Sequence, residues 1–215
     1  MAFSHKYIYL EPTAAQIAAA ERQVEQLHAA QQSKTGNPYL NGSFTRGAGN
    51  LPGKVAEIAV AEFYYPHLQP TTGIAIYGQD YFGEPYRPHE NDRASTFDIK
   101  TTVMGKHYVP QPYHNAHVSK KSAAHQTPDF FIFARAHVSL KYLYVVGVLS
   151  YDEFFQRADD NQQNKVDPAS ADGWLFPEPC YSTSIRQLWD PPQPDELHIL
   201  LEKEKYFKTK QLALS

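Results

Sequence analysis

Apolar positions recur at helical spacing in two places in the first third of the chain. Ile17, Ala20, Val24 and Leu27 follow Thr13, a residue suited to an N-cap, and predict a helix over 13–32. Lys54–Tyr65, with Val55, Ala56, Ile58, Ala59 and Val60, predicts a second helix stopped by Pro66. Between them, Ser33–Gly53 carries glycines at 36, 42, 47, 49 and 53 and no apolar period, as a turn-rich connection does. Residues 66–95 read as loop, with short strands expected near Ile74–Tyr77. From Thr96 the period changes to two, and Thr96–Met104 alternates as a strand should. Phe130–Ala134 and Tyr142–Leu149 are dense apolar runs with the length and composition of buried strands. Asp152–Ala158 predicts a short helix. Beyond Asp159, Pro, Asp, Asn and Gln dominate, which predicts a looping C-terminal segment closed by a helix near Glu196–Lys205. Helices, then a strand hairpin, then strands make an α/β or α+β protein.

Length and composition narrow the picture. A chain of 215 residues holds one substantial core, and 42% hydrophobic with 20% charged residues is ordinary for a globular protein. No apolar run reaches the roughly 20 residues that cross a bilayer, so no membrane partner is expected. The opening Met1-Ala2-Phe3-Ser4-His5-Lys6 lacks the basic-then-apolar layout of a signal peptide. The single Cys180 permits no internal disulfide. Both point to a cytoplasmic location.

Net charge is −3, which argues against a polyanion as partner, but its distribution changes that reading. Between Arg93 and Lys121 lie five basic residues (Arg93, Lys100, Lys106, Lys120, Lys121) and one acid, Asp98, with His107, His114 and His117 among them. Tyr151–Glu204 holds twelve acids and four basic residues. A local cationic strip holds phosphates even on a mildly acidic protein, though ordinary surface charge gives the same count. The histidines, with His125, have no C-x-x-C or H-E-x-x-H companion that would make a zinc site, and are expected to contact phosphate or line a loop. Cys180 has no nucleophile signature, and Trp174 and Trp189 read as packing residues.

The informative segment is Thr96-Phe97-Asp98-Ile99-Lys100-Thr101-Thr102-Val103. In a strand, Phe97, Ile99 and Val103 share one face, apolar and covered by a helix; Asp98, Lys100 and Thr102 share the other. A carboxylate and an ammonium two residues apart on an apolar strand are costly to bury unless a ligand compensates them. A divalent cation on the carboxylate and a phosphate beside the lysine would do so; a solvated Asp–Lys pair on an edge strand is the alternative.

Asp98-Ile99-Lys100 resembles the (D/E)-x-K element of the PD-(D/E)XK nuclease superfamily, in which a helix carrying a Glu precedes a hairpin with one acid on its first strand and (D/E)-x-K on its second. Glu57 matches the helix acid, and Gly47-Ala-Gly-Asn-Leu-Pro-Gly53 is similar to the glycine-rich lead-in of small phage and bacterial members. The resemblance covers roughly residues 45–150. It implies a restriction-endonuclease-like core, a central mixed β-sheet flanked by helices, with an N-terminal helix and an irregular C-terminal extension. As domains it implies a single nuclease domain over 1–215, with the catalytic core at 51–150 after the lead-in of 1–50 and before the extension of 151–215. The implied activity is Mg²⁺-dependent hydrolysis of DNA phosphodiester bonds, with Mn²⁺ as a substitute, of restriction or recombination and repair type, by a protein that acts as a homodimer if it cuts both strands. Asp92, Asp98, the Ile99 carbonyl and Glu57 would hold metal; Lys100 would neutralise the transition state; Arg93, Lys106, Lys120 and Lys121 would contact the DNA backbone. The first acid has no Pro-Asp to mark it. Asp92, six residues ahead of Asp98, is preferred to Asp80, because Gly83, Pro85 and Pro88 follow Asp80 and break strand pairing; Glu90 ranks last. A nuclease-fold protein that binds DNA or a partner without cutting is the alternative.

Overall fold

Thr13 and Gln16 close a reciprocal cap at the head of the first helix. The Gln16 N–H donates to Thr13 Oγ1 (3.2 Å) and the Thr13 N–H donates to Gln16 Oε1 (2.8 Å), which satisfies two otherwise orphan donors. Helix α1 then runs Ala14–Gln32 in the computed structural model, which describes residues 6–32, 51–64, 68–70, 81–83, 95–104, 109–125, 127–167, 176 and 178–197. Helix α2 spans Leu51–Phe63 and so begins a turn earlier than its apolar period suggests; Pro52 sits in the first turn, where a missing N–H costs nothing. Alanine and valine let α2 be buried on two sides. Val55 and Ile58 pack on Ala20 of α1, while Ala56, Ala59, Val60, Ala61 and Tyr64 lie in the core beneath the main sheet.

That sheet has six strands: β1 (Ile8–Leu10), β2 (Leu68–Pro70), β3 (Tyr81–Gly83), β4 (Ser95–Met104), β6 (Phe130–His137) and β7 (Leu143–Ser150), in the order β1-β7-β6-β4-β3-β2. It is mixed. β4 and β6 are parallel, from Phe97 opposite Phe130 to Met104 opposite His137, and every other pair is antiparallel. A parallel pair needs a long crossover, and here the crossover supplies β5 (Asn115–Ser119) and helix α3 (Lys120–His125). β5 heads a second, antiparallel sheet with β9 (Cys180–Ser184) and β8 (Asp159–Asn161), in the order β5-β9-β8.

The main sheet is therefore covered on both faces. Phe97, Ile99, Phe130, Ile132 and Ala134 point to α2. Phe131, Phe133, Val146 and Leu149 meet Ala116 and Val118 of β5, Phe154 of helix α4 (Tyr151–Arg157), Ile185 and Leu188. Burial on both faces explains why β6 and β7 read as unbroken apolar runs. Ser150 caps α4 by accepting from the Glu153 N–H. The molecule is a mixed α/β protein, a mixed sheet flanked by helices.

Several expectations are revised. The short helix expected at Asp152–Ala158 is present as α4, but the described residues beyond it are no mere loop: they furnish β8, β9 and the core residues Ile185, Leu188 and Leu197. Their apolar residues are spaced singly among polar ones, so no period announces them. The chain makes a 3₁₀ turn at Pro194–Glu196, headed by Gln193, and Leu197 after it is helical; the rest of the helix expected near Glu196–Lys205, like the strands expected at 74–77, lies outside the described residues. Val103 is exposed rather than covered, because β4 outruns α2.

The segment after β9 is seated on β7. Val148 and Trp189 exchange both backbone hydrogen bonds (3.1 and 3.0 Å), and the Tyr64 hydroxyl donates to the Pro192 carbonyl (3.0 Å). Gly147 makes room for this approach: a Cβ there would stand 2.5 Å from Leu188 Cβ and 2.8 Å from the Trp189 carbonyl oxygen. Gly147→Ala is therefore expected to lower stability by about 1–3 kcal/mol, read as a lower urea midpoint at unchanged slope. An alanine variant as stable as the parent would mean that 188–189 does not sit against β7.

Candidate functional site

Alternation along β4 sends Asp98 and Lys100 to the face opposite Phe97 and Ile99, toward the crossover layer. Asp98 is buried, with 1% of its surface exposed. The Lys100 Nζ lies 2.6 Å from its Oδ2 and also donates to Ser122 Oγ on α3 at 2.6 Å. Ser122 is held in turn by its own N–H, which donates to Ser119 Oγ (3.0 Å). Despite the close ammonium, neither Asp98 oxygen receives a well-directed hydrogen bond from the described residues. A carboxylate offers about four lone-pair sites, and burial with those sites unfilled is costly even beside one counter-charge.

Glu57 approaches from α2. It is largely buried and ion-paired with Lys54. Burial pushes its carboxyl above the ordinary carboxylate range; the Lys54 ammonium opposes that, Asp98 adds to it and Lys100 offsets it. The helix acid and the strand pair thus share one electrostatic environment. Ile99 lies between the two strand residues with its side chain in the opposite core.

The remaining expected site residues divide. Asp92, Arg93 and Lys106, together with Asp80, Glu90 and His107, lie outside the described residues. The arm that pairs with the start of β4 is Tyr81–Gly83, with Tyr81 opposite Phe97 and Gly83 opposite Ser95. The arm is thus not one joined to β4 by a tight connection at 93–97; in sequence Asp80 directly precedes the paired arm, and Asp92, eleven residues beyond Tyr81, lies outside the described residues. A long connection between paired arms adds only slowly to the entropic cost.

Lys120, partly exposed, has a partner within the fold. It pairs with Asp160 of β8 (2.5 Å) and lies 5.5 Å from the Tyr181 ring centre. Lys121 is exposed. Two groups that sequence reading missed stand nearby: Ser122, and Glu178, whose half-buried carboxyl is raised by burial and drawn down by Lys121 and Lys100. Neither carries a local signal, since a serine in a short helix and a glutamate between prolines are unremarkable in a sequence.

His114, in the bend before β5, and His117, on β5, are placed inward. They belong to an interior polar cluster in which Arg135 Nη2 donates to the Asn115 carbonyl (2.9 Å), Arg135 Nη1 lies 3.3 Å from His114 Nδ1, Asn115 Nδ2 donates to Asp167 Oδ1 (2.6 Å), and His117 Nε2 lies 3.8 Å from Asp167 Oδ2. Burial first, and the Arg135 guanidinium second, lower His114 to about 4 and His117 to about 3. Burial likewise lifts the Cys180 thiol to about 11, which keeps it protonated. Trp189 packs against the core, as expected of it.

Among the described residues, no three or more His, Cys, Asp or Glu side chains form a group that would hold a metal ion, and no helix is long and apolar enough to cross a membrane. The chain matches no protein-family model, no curated protein and no solved structure.

The two lowered histidines make stability depend on acid. Each has a folded pKa below its unfolded value of about 6.5, so the unfolded chain binds protons first as pH falls. Their contribution is complete above about 6.5 and is lost progressively toward 4 and then 3. Glu57 and Glu178, raised in the fold, act in the opposite sense, so the histidine share is isolated by comparison with a variant. Urea unfolding at pH 7.5, 6 and 5 is expected to show His117→Gln losing less stability across this range than the parent. Equal losses would mean that His117 is not held neutral.

Proposed function

We propose that this protein is a metal-dependent endonuclease of the PD-(D/E)XK type, acting on DNA, with Asp98 and Lys100 at its centre. The observation that carries the reading is a buried carboxylate whose oxygens lack well-directed donors, 2.6 Å from a lysine that a second residue holds in place. The order of parts agrees with it. A helix bearing Glu57 precedes an antiparallel pair whose second strand bears Asp-x-Lys, and α2 packs against that strand. A restriction-endonuclease-like core built on α2, β3, β4 and β6 is part of the same proposal.

The donor set suits Mg²⁺ or Mn²⁺, which favour oxygen ligands. Asp98, Glu57 and the Ile99 carbonyl would hold the ion together with one further acid from outside the described residues. When bound, the ion supplies charge stabilisation at the phosphate oxygens and acidifies water. The chain's own part is electrostatic. Lys100, restrained by Ser122, presents a fixed positive charge where negative charge develops on the phosphoryl oxygens. Asp98 keeps that ammonium on the site side of the strand, and Lys54 orients Glu57.

Incubation with plasmid DNA in Mg²⁺ or Mn²⁺, then with EDTA, tests the reading. Lys100→Ala is expected to lose roughly 10²–10³ in cleavage rate, but it also strands a buried carboxylate. Asp98→Asn removes the buried carboxylate charge and leaves the Lys100 ammonium facing a neutral amide and Ser122 Oγ; it should abolish cleavage in a protein that is folded by circular dichroism. Metal-dependent cleavage that survives in a folded Asp98→Asn protein would refute the assignment. DNA binding in Ca²⁺ with no cleavage in any metal would mark a nuclease-fold protein that binds without cutting.

The second carboxylate is tested separately. Asp92 was the residue expected from spacing, but pairing of β4 with Tyr81–Gly83 favours the acid next to that arm, Asp80. Asp80→Asn should therefore abolish cleavage, and Asp92→Asn should retain most of it. The reverse result would return the role to Asp92.

A further inference from the structure

Toward the β6–β7 turn, aromatic rings gather on the sheet face that carries Asp98 and Lys100. The register fixes the face: Thr102, two residues beyond Lys100, is opposite Arg135, Arg135 is opposite Tyr144, and Tyr144 is opposite Tyr9. Tyr142 and His137, two residues along from Tyr144 and Arg135, point the same way. His137, Tyr142 and Tyr9 form a stack across β6, β7 and β1, with ring centres 4.5 and 5.9 Å apart and planes 21° and 26° from parallel. Tyr144 stands edge-on to Tyr142 and Tyr9 (5.9 and 5.4 Å) and, with Tyr7, roots the stack in the second core. Local hydrogen bonds fix both ends: the Tyr9 hydroxyl donates to Glu11 Oε1 (2.7 Å), and His137 Nδ1 lies 2.6 Å from Ser139 Oγ. Cross-strand packing explains such rings where they are covered. Tyr9 is not covered; it lies in an edge strand with 49% of its surface exposed. Exposed lysines, Lys6 and Lys141, precede Tyr7 and Tyr142, and because β1 and β7 are antiparallel they fall at opposite ends of the stack. Of the acids nearby, Glu11 holds the Tyr9 hydroxyl and Asp190 accepts from the Lys6 N–H (3.4 Å).

We propose that this stack is a platform for unpaired bases of a single-stranded nucleic acid, with the outer face of Tyr9 receiving a base and Lys6 and Lys141 meeting the flanking phosphates. Every base has a π-face, so such stacking is indifferent to sequence. Rings already held in plane lose little freedom when a base settles on them. The choice of a nucleic-acid strand rests on the two lysines and on the nuclease reading, whose centre lies on the same sheet face, three strands across and roughly 16 Å away. The platform itself uses no metal and no residue of that centre.

Fluorescence anisotropy of a labelled oligothymidylate of about eight nucleotides, titrated with the full chain in EDTA so that no metal-dependent cleavage competes, tests it. Tyr9→Ala is expected to weaken binding roughly 5- to 150-fold, the loss of one stacked base, while Tyr9→Phe, which keeps the ring, retains it. Should Tyr9→Ala not fold, Tyr9→Leu keeps the apolar bulk at the sheet edge and is expected to bind as weakly. An abasic strand of the same length, with every phosphate and no base, should also bind far more weakly than oligothymidylate. Parental affinity in a folded Tyr9→Ala or Tyr9→Leu protein overturns the proposal, as does equal binding of the abasic strand, which would make the attraction purely ionic. Binding of maltohexaose at Tyr9 in place of oligothymidylate overturns it in favour of a sugar platform. Asp98→Asn should bind the strand as the parent does. A parent that cleaves no plasmid yet holds oligothymidylate through Tyr9 fails the nuclease reading and keeps the platform; one that cleaves plasmid yet binds no oligothymidylate fails the platform alone.

Discussion

Parallel neighbours in a sheet cannot be joined by a tight turn, and the pairing of β4 with β6 obliges residues 105–129 to leave the sheet and return. That excursion builds the second face of the molecule. It carries β5, which seeds the small sheet, and α3, whose Ser122 holds Lys100. It also brings His114, Asn115 and His117 over Arg135 of β6. Without the crossover, Asp98 and Lys100 would lie on an open sheet face as a solvated ion pair. With it they are enclosed, and the low-dielectric surroundings make their arrangement consequential.

Charge follows the same geometry. The basic middle of the chain and its acidic final third face each other across the layers: Lys120 meets Asp160, Arg135 lies in the field of Asp167, and Glu178 lies in that of Lys121 and Lys100. At Lys120, one cation of the basic stretch has a partner within the fold. Asp98 has its counter-ion, but both of its buried oxygens lack well-directed donors.

The strand pair was legible because period two is a local property. Once Thr96–Met104 is a strand, Asp98 and Lys100 must share a face, and no distant contact alters that. The Thr13 cap of α1, the alanine-rich α2 and the two apolar strands were legible for the same reason. β1, β5, β8 and β9 were not, since they are only three to five residues long and their burial depends on partners far along the chain. The inward placement of His114 and His117 was not legible, because a residue type alone does not reveal whether a second sheet will cover it.

The sequence by itself therefore determined the mixed class, the two leading helices and the side-by-side placement of one carboxylate and one ammonium, all set by interactions within a few residues. Tertiary structure alone decided which arm pairs with β4, that Glu57 shares the field of Asp98, that Ser122 reaches Lys100, and that Lys120 pairs with Asp160. Each of these depends on which distant segments come to lie side by side, and packing and loop closure choose that, leaving no trace in local periodicity.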